Sequence, residues 1–102
     1  MDVRYTKSAK NLVFYVYGEL DECSASKAKD ILDRIIYGNT DVEKAVFDLS
    51  GLSFMDSTGV GLLIGRYKKL KNMGVASYIK DASFSAEKVI ELAGLYKIMP
   101  KI

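Results

Sequence analysis

A chain of 102 residues, 49% hydrophobic and 11% aromatic, is one domain long and can bury a core without disulfides or metal. Its 15 basic and 13 acidic residues leave a formal charge of +2, too balanced to point to nucleic acid or an anionic membrane surface. With no histidine, a Ser-His-Asp triad, a Cys-His pair and histidine-ligated zinc are all excluded within the chain, which tilts the reading toward a binding or regulatory module.

Cys23 is the only cysteine, so no intramolecular disulfide can form, in keeping with a reducing compartment. Met1 to Lys10 lacks the apolar core of a signal peptide, and no apolar run approaches a membrane span. The expected location is the cytoplasm.

In chain order, Val3-Arg4-Tyr5-Thr6-Lys7 alternates as an edge strand does, and Ser8 to Asn11 reads as a turn. Leu12 to Tyr17 is a continuous apolar run rich in β-branched and aromatic residues, expected as a more central strand antiparallel to the first. Gly18-Glu19-Leu20-Asp21 is expected to end that strand, with Asp21 capping a helix from about Glu22 to Tyr37. Ala28, Ile31, Leu32, Ile35 and Ile36 supply its apolar face, and Gly38 its stop. Ala45 to Leu49 reads as a strand covered on both faces. After it come a short loop and a second helix, which runs from Ser57 to Met73 or Gly74 with Val60, Leu63, Ile64, Tyr67 and Leu70 on one face. Val75 to Ile79 is another strand, and a third helix begins at Asp81 or Ser83 and stops at Gly94. The tail from Leu95 to Ile102 is either a brief edge strand or a packed segment. The order β-β-α-β-α-β-α predicts an α/β fold over residues 1 to 102, with a mixed, mostly parallel sheet and packed helices; strand order stays open.

The chemistry concentrates where the second helix begins. Ser57 sits between Asp56 and Thr58-Gly59 at a loop-to-helix junction. It reads both as a helix cap and as an exposed hydroxyl open to modification, since free N–H groups and the helix dipole favour an added negative charge. Gly59, Gly61 and Gly65 each cost about 0.5–1 kcal/mol relative to alanine in a helix, so either close packing or access for a partner must offset them. Leu62 falls off the apolar face, as a stray exposed leucine or as an apolar contact for a partner. Arg66 to Lys71 reads as a solvated face, or less directly as a patch for phosphate or an acidic partner. Asp48 and Asp56 lack a third metal ligand, and Met55 to Gly59 is not a Gly-x-Ser-x-Gly elbow, so neither a metal centre nor a hydrolase nucleophile is expected.

Asp48-Leu49-Ser50-Gly51-Leu52-Ser53-Phe54-Met55-Asp56-Ser57-Thr58-Gly59, continuing through Gly65-Arg66-Tyr67-Lys68, closely resembles bacterial anti-sigma factor antagonists of the STAS domain type, most of all those of sporulation. Gly18-Glu19-Leu20-Asp21 and Gly94-Leu95-Tyr96-Lys97-Ile98 match further signatures of that family. Departures are Thr58, where a second serine is common, and a tail that ends soon after Ile98. The resemblance implies partner switching. The unphosphorylated protein binds an ATP-dependent anti-sigma factor serine kinase and so frees the sigma factor. Phosphorylation of Ser57 breaks the complex, and a metal-dependent serine phosphatase resets it. It implies Ser57 as acceptor, with Asp21, Asp56, Thr58, Gly59, Gly61 and Leu62 facing the kinase. No catalytic residue, cofactor, direct nucleic-acid contact or membrane contact is expected. The alternative within the same superfamily is a scaffold or sensor domain that binds a small ligand such as a nucleotide.

Overall fold

The computed structural model describes residues 1–102. The two N-terminal segments form strands β1 (Asp2–Ser8) and β2 (Asn11–Leu20), antiparallel and in register from Asp2↔Tyr17 to Ser8↔Asn11. The hairpin is closed by Ala9 at φ 54°, a left-handed conformation that alanine tolerates only in a tight turn. Helix α1 (Ala25–Tyr37), strand β3 (Lys44–Asp48), strand β4 (Leu52–Met55), helix α2 (Ser57–Asn72), strand β5 (Ala76–Lys80) and helix α3 (Phe84–Ala93) follow. A single 3₁₀ turn spans Leu95–Lys97.

The sheet runs β1-β2-β3-β5, and every pairing except β1 with β2 is parallel. All three helices pack on one face. Leu12, Phe14 and Val16 of β2, Ala45 and Phe47 of β3 and Ile79 of β5 share one buried cluster with Leu32 and Ile36 of α1, Leu63 and Leu70 of α2, and Ile90 of α3. Phe14 and Phe47 stack across the central strands with ring centroids 4.7 Å apart. Val46 is buried too but stands outside that cluster, on the face that carries no helix, where its strand neighbours Lys44 and Asp48 are only half-buried; β3 is thus covered by helices on one face, not on both as its apolar run suggests. No helix is long and apolar enough to cross a membrane.

Beyond shifts of one residue at strand ends, the structure differs from the sequence reading at the end of β2, in an additional strand and at the start of α1, each for a local reason. β2 does not end at Tyr17; it continues through Gly18-Glu19-Leu20, because a second partner strand, β4, pairs with those residues. β4 itself is the element missed in what reads as a loop. Its pairing carries a bulge between Gly18 and Glu19, where Leu52 and Phe54 are successive partners, so Leu52 and Met55 both point inward and no alternation shows. β3 and β4 thus lie end to end along β2. The turn between them places Gly51 against Tyr17, where an added Cβ would lie 2.3 Å from the ring. Finally, α1 begins at Ala25, not Glu22. The Asp21 carboxylate accepts from the N–H groups of Cys23 and Ser24, both at 3.0 Å, and this local turn competes with an earlier helix start.

The tail does both things its sequence allowed. It packs Leu95 and Met99 into the core, and Lys101 bridges to Ile79 as a short parallel strand. Nearby, Glu87 of α3 accepts from the Tyr96 hydroxyl and from Lys101 Nζ. The Lys101 bond first, then that of Tyr96, holds the Glu87 carboxyl below its ordinary value of 4.5. Burial, then Glu87, pushes the Tyr96 hydroxyl up. A depressed carboxyl stabilises the fold above its unfolded value and loses that contribution as pH falls through the folded one. A raised phenol contributes below its unfolded value and loses that contribution as pH rises past it. Urea unfolding of Glu87→Gln at pH 7 and pH 3 should therefore show a smaller loss on acidification than the native chain. An equal loss in both contradicts a role for Glu87 in the acid limb.

Candidate functional site

Ser57 is the first residue of α2, and the N-cap is Asp56 rather than Ser57. Asp56 has an extended backbone, and its Oδ1 accepts from Thr58 N–H at 2.9 Å and Gly59 N–H at 3.2 Å. Asp56 N–H donates to the Leu20 carbonyl at 3.4 Å. Of the four N–H groups that a helix start leaves over, only that of Ser57 has no partner in this turn. The helix N-terminus is therefore less open to an anion than the sequence suggested, since the Asp56 carboxylate already fills it. The Ser57 hydroxyl, freed from capping, belongs to an exposed residue.

Gly59 explains why the turn is held so firmly. A Cβ at this position would lie 2.7 Å from the Leu20 carbonyl oxygen and 3.1 Å from Met55 Cγ. Only glycine lets the first turn of α2 sit directly on the end of β2, so for Gly59 the packing alternative holds. Gly59→Ala should lower stability by about 1–3 kcal/mol, as overpacking does. Urea unfolding checks this, and a variant as stable as the native chain contradicts the tight contact.

The same end of β2 carries Asp21. Leu20 pairs with Met55, so the turn that starts at Asp21 and the turn that carries Ser57 leave the sheet side by side, at the C-terminal ends of two parallel strands. In the first turn, Ser24 Oγ donates to the Glu19 carbonyl at 2.7 Å and accepts from Asp21 N–H at 3.0 Å, so both turns are built by side-chain bonds to backbone. A cavity of about 400 Å³ opens beside it, lined in part by Glu19, Asp21, Ser24 and Lys27. Asp21, Asp56, Ser57, Thr58 and Gly59 thus form one edge of the molecule. Gly61, one turn further along α2, is exposed, with nothing within 4 Å of an added Cβ.

Leu62 does not belong to that surface. It is 8% exposed and part of the core cluster. It sits one turn before Arg66, which is buried against α1 and pairs through Nε with Asp33 Oδ1 at 3.0 Å. A single apolar stripe leaves both residues off the buried face, but α1, α3, β4 and β5 all pack against α2, so more than one of its faces is buried. The residue that the sequence reading passed over is Phe54. It is 46% exposed on β4, three residues before Ser57. The bulge that hid β4 is also what turns this aromatic outward.

A family model, that of the STAS domain, matches residues 2–102. The chain belongs to the STAS domain family. Among relatives of this STAS domain, an anti-sigma F factor antagonist of Paenibacillus polymyxa is 33% identical over 87% of the chain and 75% of the relative. The fold superposes on the anti-sigma factor antagonist SpoIIAA in its unphosphorylated form with a TM-score of 0.79, at 25% identity, covering 99% of this chain and 88% of that one. It also superposes on the phosphorylated form of the Bacillus SpoIIAA with a TM-score of 0.72, at 25% identity, covering 99% of this chain and 91% of that one. The resemblance drawn from the central stretch therefore holds, and the α/β fold expected from it is the one found.

Proposed function

We propose that this STAS domain is an anti-sigma factor antagonist switched by phosphorylation of Ser57. In its unphosphorylated form it binds an anti-sigma factor that is also an ATP-dependent serine kinase, and so releases a sigma factor in the cytoplasm. The kinase phosphorylates Ser57 and the complex parts; a metal-dependent serine phosphatase restores the hydroxyl. The domain catalyses nothing itself. The observation that carries this reading is the exposed Ser57 hydroxyl at the first position of α2, in a turn fixed from behind by the Asp56 cap and the Gly59 contact. The names of the relatives support it, and the similarity to SpoIIAA in both phosphorylation states supports a switch without refolding.

The partner surface of this reading comprises Asp21, Asp56, Ser57, Thr58 and Gly61, with Phe54 as an apolar anchor, while the buried Gly59 seats the turn from behind. Leu62 contributes from beneath by packing, not by touching the partner. Phosphate adds about −1.5 to −2 charges beside the Asp56 carboxylate, and burying it against a surface shaped for a neutral hydroxyl costs both desolvation and repulsion.

Mixing the unmodified chain with a cognate anti-sigma factor already loaded with its sigma factor should displace the sigma factor, as read by native mass spectrometry. An intact anti-sigma–sigma complex at saturating chain contradicts the proposal. Gly61→Ala separates surface from fold. A methyl in open space at a helical position should raise stability by about 0.4–1 kcal/mol while weakening anti-sigma binding. A variant that is more stable and binds as tightly as the native chain removes Gly61 from the interface.

A further inference from the structure

Strand β5 is the edge of the sheet, and the tail covers only part of it. Ile79 N–H donates to the Pro100 carbonyl at 3.0 Å and Ile102 N–H to the Ile79 carbonyl at 2.9 Å, so Ile79 turns its backbone groups outward. In a parallel ladder the residue two before it, Ser77, does the same. Continued toward Ser77, that ladder would need an N–H from residue 100, and Pro100 has none. No bond from the tail reaches Ser77.

At this gap lies a cavity of about 300 Å³, remote from Ser57 at the far end of α2. Tyr67 and Lys71 of α2, Val75, Ser77 and Tyr78 of the β5 segment, and Pro100 of the tail help to line it. Ser77 is 4% exposed, and its Oγ is buried with no hydrogen-bond partner. A buried hydroxyl without a protein partner in an otherwise well-bonded sheet is uncommon and leaves Ser77 Oγ free to bond a ligand. None of the lining residues is acidic, and Lys71 supplies a cation at the cavity.

We propose that this cavity binds a small carboxylate with an apolar, aromatic or branched body. The carboxylate accepts from the outward-facing Ser77 backbone N–H and the Ser77 hydroxyl, and pairs with the Lys71 ammonium. The body lies against Tyr67, Val75 and Pro100. The volume is at the lower end of roughly 300–1,000 Å³ usual for small-molecule sites, which restricts the ligand to one ring or its equivalent and excludes a nucleotide as full occupant. Nothing in this assignment depends on Ser57 or on the anti-sigma reading.

Sodium benzoate is the probe, titrated into the full chain while backbone amide shifts are followed by NMR, with benzyl alcohol as neutral control and sodium acetate as charge-only control. Benzoate should give saturable shifts centred on Tyr67, Lys71, Ser77 and Tyr78, with a dissociation constant on the order of 1 mM or tighter. Both controls should bind at least about tenfold more weakly, a difference of about 1.4 kcal/mol. Lys71→Gln, at an exposed position that leaves the core untouched, should weaken benzoate about tenfold, and Ser77→Ala should do likewise. Shifts that do not saturate, that centre elsewhere, or that are unchanged in both variants overturn the proposal. So does benzyl alcohol binding as well as benzoate, which would leave only an apolar slot.

Discussion

Ser57→Asp should weaken binding to the anti-sigma factor about a hundredfold, equivalent to about 2.7 kcal/mol, while leaving the fold as stable as before. The two halves of this expectation have separate causes. At the first position of a helix an added carboxylate is favoured by the dipole by about 0.3–1 kcal/mol. The neighbouring Asp56 carboxylate, already bonded to Thr58 and Gly59 N–H, offsets part of that gain through repulsion. Stability measured by urea unfolding should therefore stay within about 0.5 kcal/mol of the native chain, the usual range for a surface change. Binding, by contrast, brings the new charge against a surface that had accommodated a hydroxyl, where no water remains to screen it. Ser57→Ala removes the acceptor without adding charge, so it should bind within a few-fold of the native chain and resist modification. Calorimetric titration against the anti-sigma factor reads both. Equal affinity for the Ala and Asp variants contradicts a charge-driven switch.

Arg66→Ala should cost about 3 kcal/mol of stability, a large share of the roughly 5–15 kcal/mol that holds a domain of this size. The Arg66 side chain is 5% exposed and that of Asp33 17%. Removing the guanidinium leaves the Asp33 carboxylate largely buried with only Lys69, 3.5 Å away, to compensate it. The low end of the usual 3–5 kcal/mol range for breaking a buried pair applies here. The Arg66–Asp33 contact is close but not aligned as a hydrogen bond, and Arg66 Nη1 has no partner. Replacing both residues by apolar ones, as in Arg66→Met with Asp33→Leu, should recover most of the loss, because the desolvation cost of both charges disappears together. Urea unfolding of the single and double variants forms the cycle. A double variant as weak as Arg66→Ala contradicts the account.

That ion pair also shows where the sequence was legible and where it was not. Segments with one buried face read correctly. The Leu12 to Tyr17 run, the apolar stripe of α1 and the stop at Gly94 all fall where spacing predicted. Errors arose where an element has more than one neighbour or where a side chain competes for the backbone. Leu62 and Arg66 lie on a ridge of α2 that meets further elements, so a single-face pattern assigned them to solvent. β4 was invisible because its bulge destroys the period-two pattern over only four residues. Helix α1 starts three residues later than its sequence suggests: Glu22 to Ser24 contain nothing that forbids a helix, but the Asp21 carboxylate takes the Cys23 and Ser24 N–H groups into a local turn instead. At the site, the position of Ser57 was read correctly and its role as cap was not, since Asp56 takes both N–H groups. The Ser57 hydroxyl thus has no capping duty to give up, which favours the proposed role of acceptor.

Phosphate mapping tests the central claim most directly. The full chain is incubated with its anti-sigma factor kinase and ATP, and the products are fragmented by mass spectrometry. A single phosphate on Ser57, lost after addition of the metal-dependent phosphatase and absent in Ser57→Ala, is the expected result. A phosphate on Thr58, Ser53 or elsewhere, or none at all while the complex forms, contradicts the assignment of Ser57 as the switch.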